Sequence, residues 1–244
     1  MAEFGMPGGF INRVVRVGAT VRRPLPARAE FAHDLLGLFE QQGWTGAPRF
    51  RGLDEQGREI LDYMEGYVGW GSVRWSAVRS DACLTGVARL VREFHDLTAG
   101  SALAGAHEVV CHNDLSPKNT VYAPVEARLR PVALIDWDLA APGERIHDVA
   151  HLCWQYLALG SGVTDVKATA LKMRTICDAY GLSTRATLVD TILWWQDRCW
   201  RGIEAAASEG DPAMVDLRDK GAAESVRAAH RWVAAHRGEL QAAL

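Results

Sequence analysis

The sequence predicts an α+β fold in two lobes: a small β-rich lobe over residues 1–66 and a larger, mainly helical lobe over residues 67–244. Three observations predict it. Short β-type runs punctuated by turn residues fill the first part of the chain. Apolar residues at helical spacing dominate the second part. The Glu65-Gly66 pair breaks the pattern between them and marks the boundary.

In chain order, Val14, Val15 and Val17 lead into a Gly18-Ala19 turn, and Val21 follows before Pro24 and Pro26 end the segment, which makes a hairpin. Residues 27–42 read as a helix, with Phe31, Leu35, Leu38 and Phe39 on one face and Gly43 as its stop. A second hairpin turns at Asp54–Gly57, and its later strand carries Ile60, Leu61 and Tyr63. Beyond the boundary, residues 81–98 place Leu84, Val87, Val91 and Phe94 on one helical face. A loop, a short hairpin (about 119–123 and 131–136) and a helix from about 148 to 159 follow. Two or three more helices complete the chain, one carrying Leu188, Ile192, Trp195, Cys199 and Ile203. The tryptophans beyond residue 150 are expected as bulky helix-packing residues.

Composition narrows the function classes. A net charge of -3 gives no basic footprint for nucleic acid. No apolar run approaches the roughly 18 residues of a membrane span, and MAEFGMPGGF lacks the pattern of a secretory signal. Five widely spaced cysteines without a C-x-x-C pair argue against a disulfide framework or a zinc site and for a reducing, cytoplasmic setting. The slightly acidic balance suits a cationic or neutral small molecule better than a polyanion. Oligomeric state is not written in these features.

The segment VVCHNDLSPKNTVY, followed by PVALIDWD, carries the chemistry. His112, Asp114 and Asn119 satisfy H-x-D-x-x-x-x-N in a chain with 8 His, 16 Asp and three Asn. Such a triple arises by chance roughly 0.006 times in a chain of this composition. Phosphoryl transfer needs a carboxylate to orient or deprotonate the attacking hydroxyl and oxygen ligands for magnesium on the nucleotide phosphates. Asp114 can be that carboxylate. Asn119 offers an amide oxygen five residues on, and Asp136 ends the strand of Val132, Ala133, Leu134 and Ile135. Pairing that strand with Thr120–Ala123 brings Asp136 beside Asn119, and one carboxylate plus one amide suits Mg2+.

HNDLSPKN resembles the catalytic loop of aminoglycoside phosphotransferases, choline kinases and related small-molecule kinases, and IDWD resembles their metal-binding segment. PGERIHDVAHLCW continues the similarity; the specific motifs cover about residues 109–154. The resemblance implies a protein-kinase-like fold, with nucleotide held by the N-terminal lobe and catalysis and substrate binding in the C-terminal lobe. It implies Asp114 as catalytic base, Asn119 and Asp136 as Mg2+ ligands, and His112 as a structural member of the loop. ATP or GTP would be the co-substrate and a small-molecule hydroxyl the acceptor, with aminoglycoside-type antibiotics, and so antibiotic resistance, among the options. Asp138 either reaches the metal's water shell or substrate or satisfies backbone. Asp148 stands where a helix N-cap belongs. Lys118 reads as a solvated loop charge.

The N-terminal lobe departs from the pattern. Gly8-Gly9-Phe10-Ile11-Asn12 is similar to the end of a glycine-rich hairpin but has little chain before it. Where a kinase has its strand lysine, TVRRP offers Arg22, or failing that Arg23, and arginine is not equivalent to lysine. The helix glutamate that would pair with it is Glu30 or Glu40. The stretch Asp62-Tyr63-Met64-Glu65-Gly66 looks like the hinge, where backbone groups of Met64 and Glu65 would hold the nucleobase. Acceptor-binding acids in the C-terminal lobe, Asp190, Asp197, Glu204 and Glu209, are expected as a solvated face. A rival of another class is a non-catalytic, kinase-shaped binding protein, such as a resistance or immunity factor. A hydrolase is disfavoured, since G-x-S-x-G and H-E-x-x-H are absent.

Overall fold

A computed structural model describes residues 3–5, 14–26, 28–69, 75–125 and 128–244. Contacts group the chain into two compact units, Met1–Arg145 and Ile146–Leu244. The predicted lobe boundary at Gly66 falls inside the first unit. The Gly8–Asn12 stretch lies outside the described residues.

The first unit begins with β1 (Phe4–Gly5), β2 (Val15–Val17) and β3 (Thr20–Arg23), followed by α1 (Ala29–Gln41), β4 (Phe50–Leu53) and β5 (Glu59–Asp62). The strands form one antiparallel sheet in the order β1-β2-β3-β5-β4. Gly18 turns the β2–β3 hairpin at φ 63°, a conformation that costs a residue with a Cβ. The β4–β5 turn is closed by Asp54, whose Oδ1 accepts from the backbone N–H of Gln56 and of Arg58, each at 2.9 Å. That turn sets the β4–β5 register, and on its other edge β5 pairs with β3 so that Arg23 stands opposite Glu59.

The chain continues through β6 (Tyr67–Val68), α2 (Trp75–Val78), α3 (Asp81–Thr98) and β7 (Val109–Cys111). Ser80 caps α3 by accepting from Cys83 N–H. A 3-10 turn at Pro117–Asn119 leads into β8 (Thr120–Val125), β9 (Arg128–Leu134) and β10 (Ala141–Gly143). These strands form a β6-β8-β9 sheet and a β10-β7 pair. Leu35, Leu84, Val87, Val91, Leu115 and Leu134 are fully buried, and Phe39, Trp44 and Phe94 close around Trp137. Phe94 and Trp137 meet edge to face at 5.1 Å.

α4 (Arg145–Leu157) opens the second unit, which holds α5 (Val166–Tyr180), α6 (Leu188–Ser208), α7 (Pro212–Asp219), α8 (Ala222–Ala235) and α9 (Arg237–Ala242). α6 packs on α7 and α8, and α5 on α9. Met173, Ile176, Ile192, Val233 and Leu240 are its buried apolar groups. Five helices thus follow α4 where two or three were expected, because α7 and α9 are short and separated from their neighbours by single turns. Among the described residues no helix is long and apolar enough to cross a membrane.

Candidate active site

The site is assembled inside the first unit from two short segments, 112–119 and 135–139. β7 is buried throughout and delivers the chain to His112, itself fully buried. His112 Nδ1 accepts from the Asp114 backbone N–H at 3.3 Å, and its Nε2 donates to the Ile135 carbonyl at 3.1 Å. Its ring lies 4.5 Å from that of Trp137. Asn113 adopts the left-handed region (φ 63°), which asparagine tolerates, and its Nδ2 donates to the Leu139 carbonyl at 2.9 Å. The two residues before Asp114 therefore clamp the Ile135–Leu139 segment at both ends.

Asn119 is 2% exposed and uses its amide nitrogen twice, donating to the Asp114 carbonyl at 2.9 Å and to Asp114 Oδ2 at 2.7 Å. This fixes the carboxylate and leaves the amide oxygen as an acceptor. The Ile135 N–H donates to the Asn119 carbonyl at 2.9 Å, next to the Thr120↔Leu134 register pair. Asp136 thus lies one residue past that bond, with φ 68° and a 43% exposed carboxylate. It stands two residues beyond the end of β9 rather than at the strand end, because the chain leaves the ladder after Leu134. A strained, non-glycine φ in such a place is held by its surroundings: Trp137 Nε1 donates to the Leu134 carbonyl at 3.1 Å and anchors the turn.

The sheet contributes a cation. Neighbouring residues on a strand point to opposite faces. Arg22, the first choice from sequence, bonds Thr20 Oγ1 at 2.5 Å and approaches Asp54 at 3.9 Å, on the face away from Asp136. The residue beside the acids is Arg23. Its Nη1 lies 3.1 Å from Asp136 Oδ1, and its Nη2 lies 2.5 Å from Asp138 Oδ1. Its Nε donates to Glu59, 2% exposed, whose other oxygen lies 2.8 Å from His33 Nε2. The expected partners Glu30 and Glu40 are not the ones used: α1 offers His33, and the acid comes from β5. Burial works against the Arg23 charge, yet Asp138, Glu59 and Asp136 outweigh it and hold the guanidinium above its ordinary pKa. Burial pushes the Asp138 carboxyl above the usual carboxylate range; Arg23 opposes this and Asp136 adds to it.

Lys118 Nζ, 45% exposed, lies 3.6 Å from Asp114 Oδ2, so the loop charge faces the candidate base. Met64 is half-buried and Glu65 exposed; neither makes a backbone–backbone hydrogen bond among the described residues. Glu65 pairs with Arg16 at 2.8 Å. Gly69 donates to the Pro117 carbonyl at 3.1 Å, so the segment after Gly66 touches the loop. Asp148 is not an N-cap: it is the fourth residue of α4 and fully buried. In the second unit Asp190, Asp197 and Glu204 are engaged by Arg237, Arg201 and Arg227.

The sequence ranked Arg23 second to Arg22 and gave no role to Glu59, His33 or Asn113. The parity of β3 was readable, but not which face meets the acids; the β3–β5 register that places Glu59 opposite Arg23 joins strands separated by α1 and β4, so it left no local signal.

The hard oxygen donors of Asn119 and Asp136 fit a divalent ion such as Mg2+. The donor set tests this directly: the Asn119 nitrogen is committed to Asp114, which turns its oxygen away from that carboxylate.

A family model described as "Phosphotransferase enzyme family" matches residues 65–171. The chain is 29% identical, over 270 aligned positions covering 99% of it and 98% of its relative, to the trifolitoxin immunity protein of Rhizobium leguminosarum bv. trifolii. The fold is similar to that of aminoglycoside phosphotransferase APH(3'')-Id of Streptomyces rimosus in complex with ADP and streptomycin. That likeness has a TM-score of 0.60 at 16% identity and covers 79% of this chain and 90% of that one. It is also similar to a choline/ethanolamine kinase family protein from Mesorhizobium loti, with a TM-score of 0.59 at 14% identity over 96% and 92% of the two chains. Residues 65–171 thus carry the signature of the phosphotransferase enzyme family, on a protein-kinase-like fold that most of the chain shares with aminoglycoside phosphotransferases and choline/ethanolamine kinases.

Proposed function

We propose that the chain is a phosphotransferase that moves the γ-phosphoryl group of ATP or GTP to a hydroxyl of a small molecule. One observation carries the reading: the Asp114 carboxylate, the Asn119 amide and Asp136 are drawn together by bonds through His112, Asn113 and the Ile135 N–H. Asp114 orients the acceptor hydroxyl and takes its proton as the new O–P bond forms and the β–γ bridge bond breaks, leaving the nucleoside diphosphate. Asn119 Oδ1 and Asp136 would hold Mg2+. Bound there, the ion neutralises charge on the nucleotide phosphates. Arg23 provides the cation for those phosphates in place of a lysine, and the backbone of Met64 and Glu65, without a backbone–backbone partner among the described residues, suits a nucleobase edge. Lys118 steadies the Asp114 charge. A cytoplasmic setting supplies the nucleotide and keeps the five free cysteines reduced.

The acceptor class is a small alcohol, with aminoglycosides first to be tried, given the streptomycin-bound neighbour. A second reading, a ligand-sequestering immunity factor, is favoured by the full-length likeness to the trifolitoxin immunity protein. The test is ATP- and GTP-dependent phosphorylation of a panel of aminoglycosides and small alcohols, with magnesium omission as control. Phosphorylation that needs magnesium and is lost in Asp114→Ala supports the first reading. An inert panel, together with no calorimetric binding of nucleotide at millimolar levels, supports the second.

A further inference from the structure

Arg23 does more than stand near the acids. Its fork spans two of them, bonding Asp136 Oδ1 at 3.1 Å and both Asp138 oxygens at 2.5 and 3.2 Å. In the absence of nucleotide it is held at this place. The side chain is 12% exposed, its Nε is tied to the buried Glu59 opposite it in the register, and Glu59 is itself braced by His33 from α1. Nη1 alone reaches both carboxylates, at 3.1 and 3.2 Å, while Nη2 adds a second bond to Asp138 and Nε one to Glu59, a set of contacts that a lone ammonium could not make together.

We propose that Arg23 is a resident counter-cation of Asp136 that makes metal binding conditional on nucleotide. This rests on the reading of Asp136 as a metal ligand. A divalent ion would share the Asp136 carboxylate with a guanidinium already bonded to it, and the two positive charges repel at that range. Free metal ions therefore bind weakly. Phosphate oxygens match the guanidinium fork as well as a carboxylate does, so a nucleotide triphosphate draws Arg23 toward itself and releases Asp136. Metal and nucleotide then favour each other's binding, and by linkage the coupling is reciprocal.

The test is titration of Mn2+ into the full chain, with free Mn2+ followed by electron paramagnetic resonance. The wild type is compared with the Arg23→Met/Glu59→Gln pair, which removes both buried charges together, and with Asp136→Asn. The expected result is Mn2+ affinity in the pair variant at least tenfold above the wild type. A non-hydrolysable ATP analogue should narrow that gap, and Asp136→Asn should abolish the site. Equal affinity in wild type and pair variant, both lost in Asp136→Asn, overturns the proposal and leaves the metal-ligand reading standing. No Asp136-dependent Mn2+ binding in any form, with or without the analogue, overturns both. If circular dichroism shows the pair variant unfolded, Arg23→Lys decides: it keeps the charge but loses the Nε bond to Glu59 and the Nη2 bond to Asp138 that fix the cation on Asp136, and should raise Mn2+ affinity about threefold, against no change if the proposal is wrong.

Discussion

The loop segments 112–119 and 135–139 and the β3–β5 strand pair both point charged groups at the same place, but they do so by different physics. The loop segments hold their carboxylates with backbone and amide hydrogen bonds: His112 and Asn113 grip Ile135 and Leu139, and Asn119 grips Asp114. The strand pair holds its cation with charge, a buried Glu59 against Arg23. Hydrogen-bonded scaffolds of this kind fix direction, whereas a buried ion pair fixes charge and is costly to leave half-made. The difference teaches where substitution is tolerated. The loop demands particular residue types at particular spacings, which is why it forms a motif. The strand demands a cation opposite an acid, and here arginine takes the position.

The sharpest way to break this comparison is to substitute the central group of each region. Asp114→Ala is expected to lower turnover by about a thousandfold, within the range for a lost general base, with the fold intact by circular dichroism. Arg23→Lys is expected to lower kcat/KM by about tenfold, since a cation remains but its fork is lost. Equal losses in the two variants would mean that the sheet's cation is as indispensable as the loop's base.

Next in size is His112→Ala, which removes two hydrogen bonds and packing against Trp137 and should cost about 2–3 kcal/mol in urea unfolding. A smaller cost than that of an exposed histidine substitution such as His107→Ala would show that the ring does not tie the segments together. Gly69→Ala comes third. A Cβ there would lie 2.8 Å from the Pro117 carbonyl oxygen, so the loop must shift. The expected cost is about 1–2 kcal/mol with a raised KM for nucleotide.

Smallest is Asp96→Asn, away from both regions. Burial works to raise the Asp96 carboxyl, but Arg92 and Arg145 outweigh it and hold it below the usual carboxylate range. A depressed folded value contributes stability above the unfolded pKa, about 3.9, and loses it as pH falls through the lower folded value. The pair is half-exposed, so the effect is under about 1 kcal/mol at neutral pH and vanishes in acid. A difference between wild type and Asp96→Asn that grew as pH fell would contradict the assignment.

Much of this architecture was legible in the sequence. The β2–β3 and β4–β5 hairpins declared themselves through Gly18 and Asp54, and α3 through the spacing of Leu84, Val87, Val91 and Phe94. β6, β7 and β10 did not, because strands of two or three residues carry no alternation to read. Asp114, Asn119 and Asp136 stood out because rare residue types recur at fixed spacing along one stretch of chain. Arg23 stood only second to Arg22, and Glu59 and His33 did not stand out, since the three meet only through strand parity, a cross-strand register and a docked helix, none of which is local. Asp148 was misplaced for a related reason: an aspartate in the first turn of a helix has the same sequence signature as one just before it.

The central claim is that Asp136, with Asn119 beside it, makes nucleotide binding metal-dependent. Calorimetric titration of ATP into the wild type and Asp136→Asn, each with and without Mg2+, tests it most directly. The account predicts ATP binding in the wild type that Mg2+ strengthens at least tenfold, and an Asp136→Asn variant in which Mg2+ makes no difference. Identical ATP affinity in all four titrations, or none in any, would contradict it.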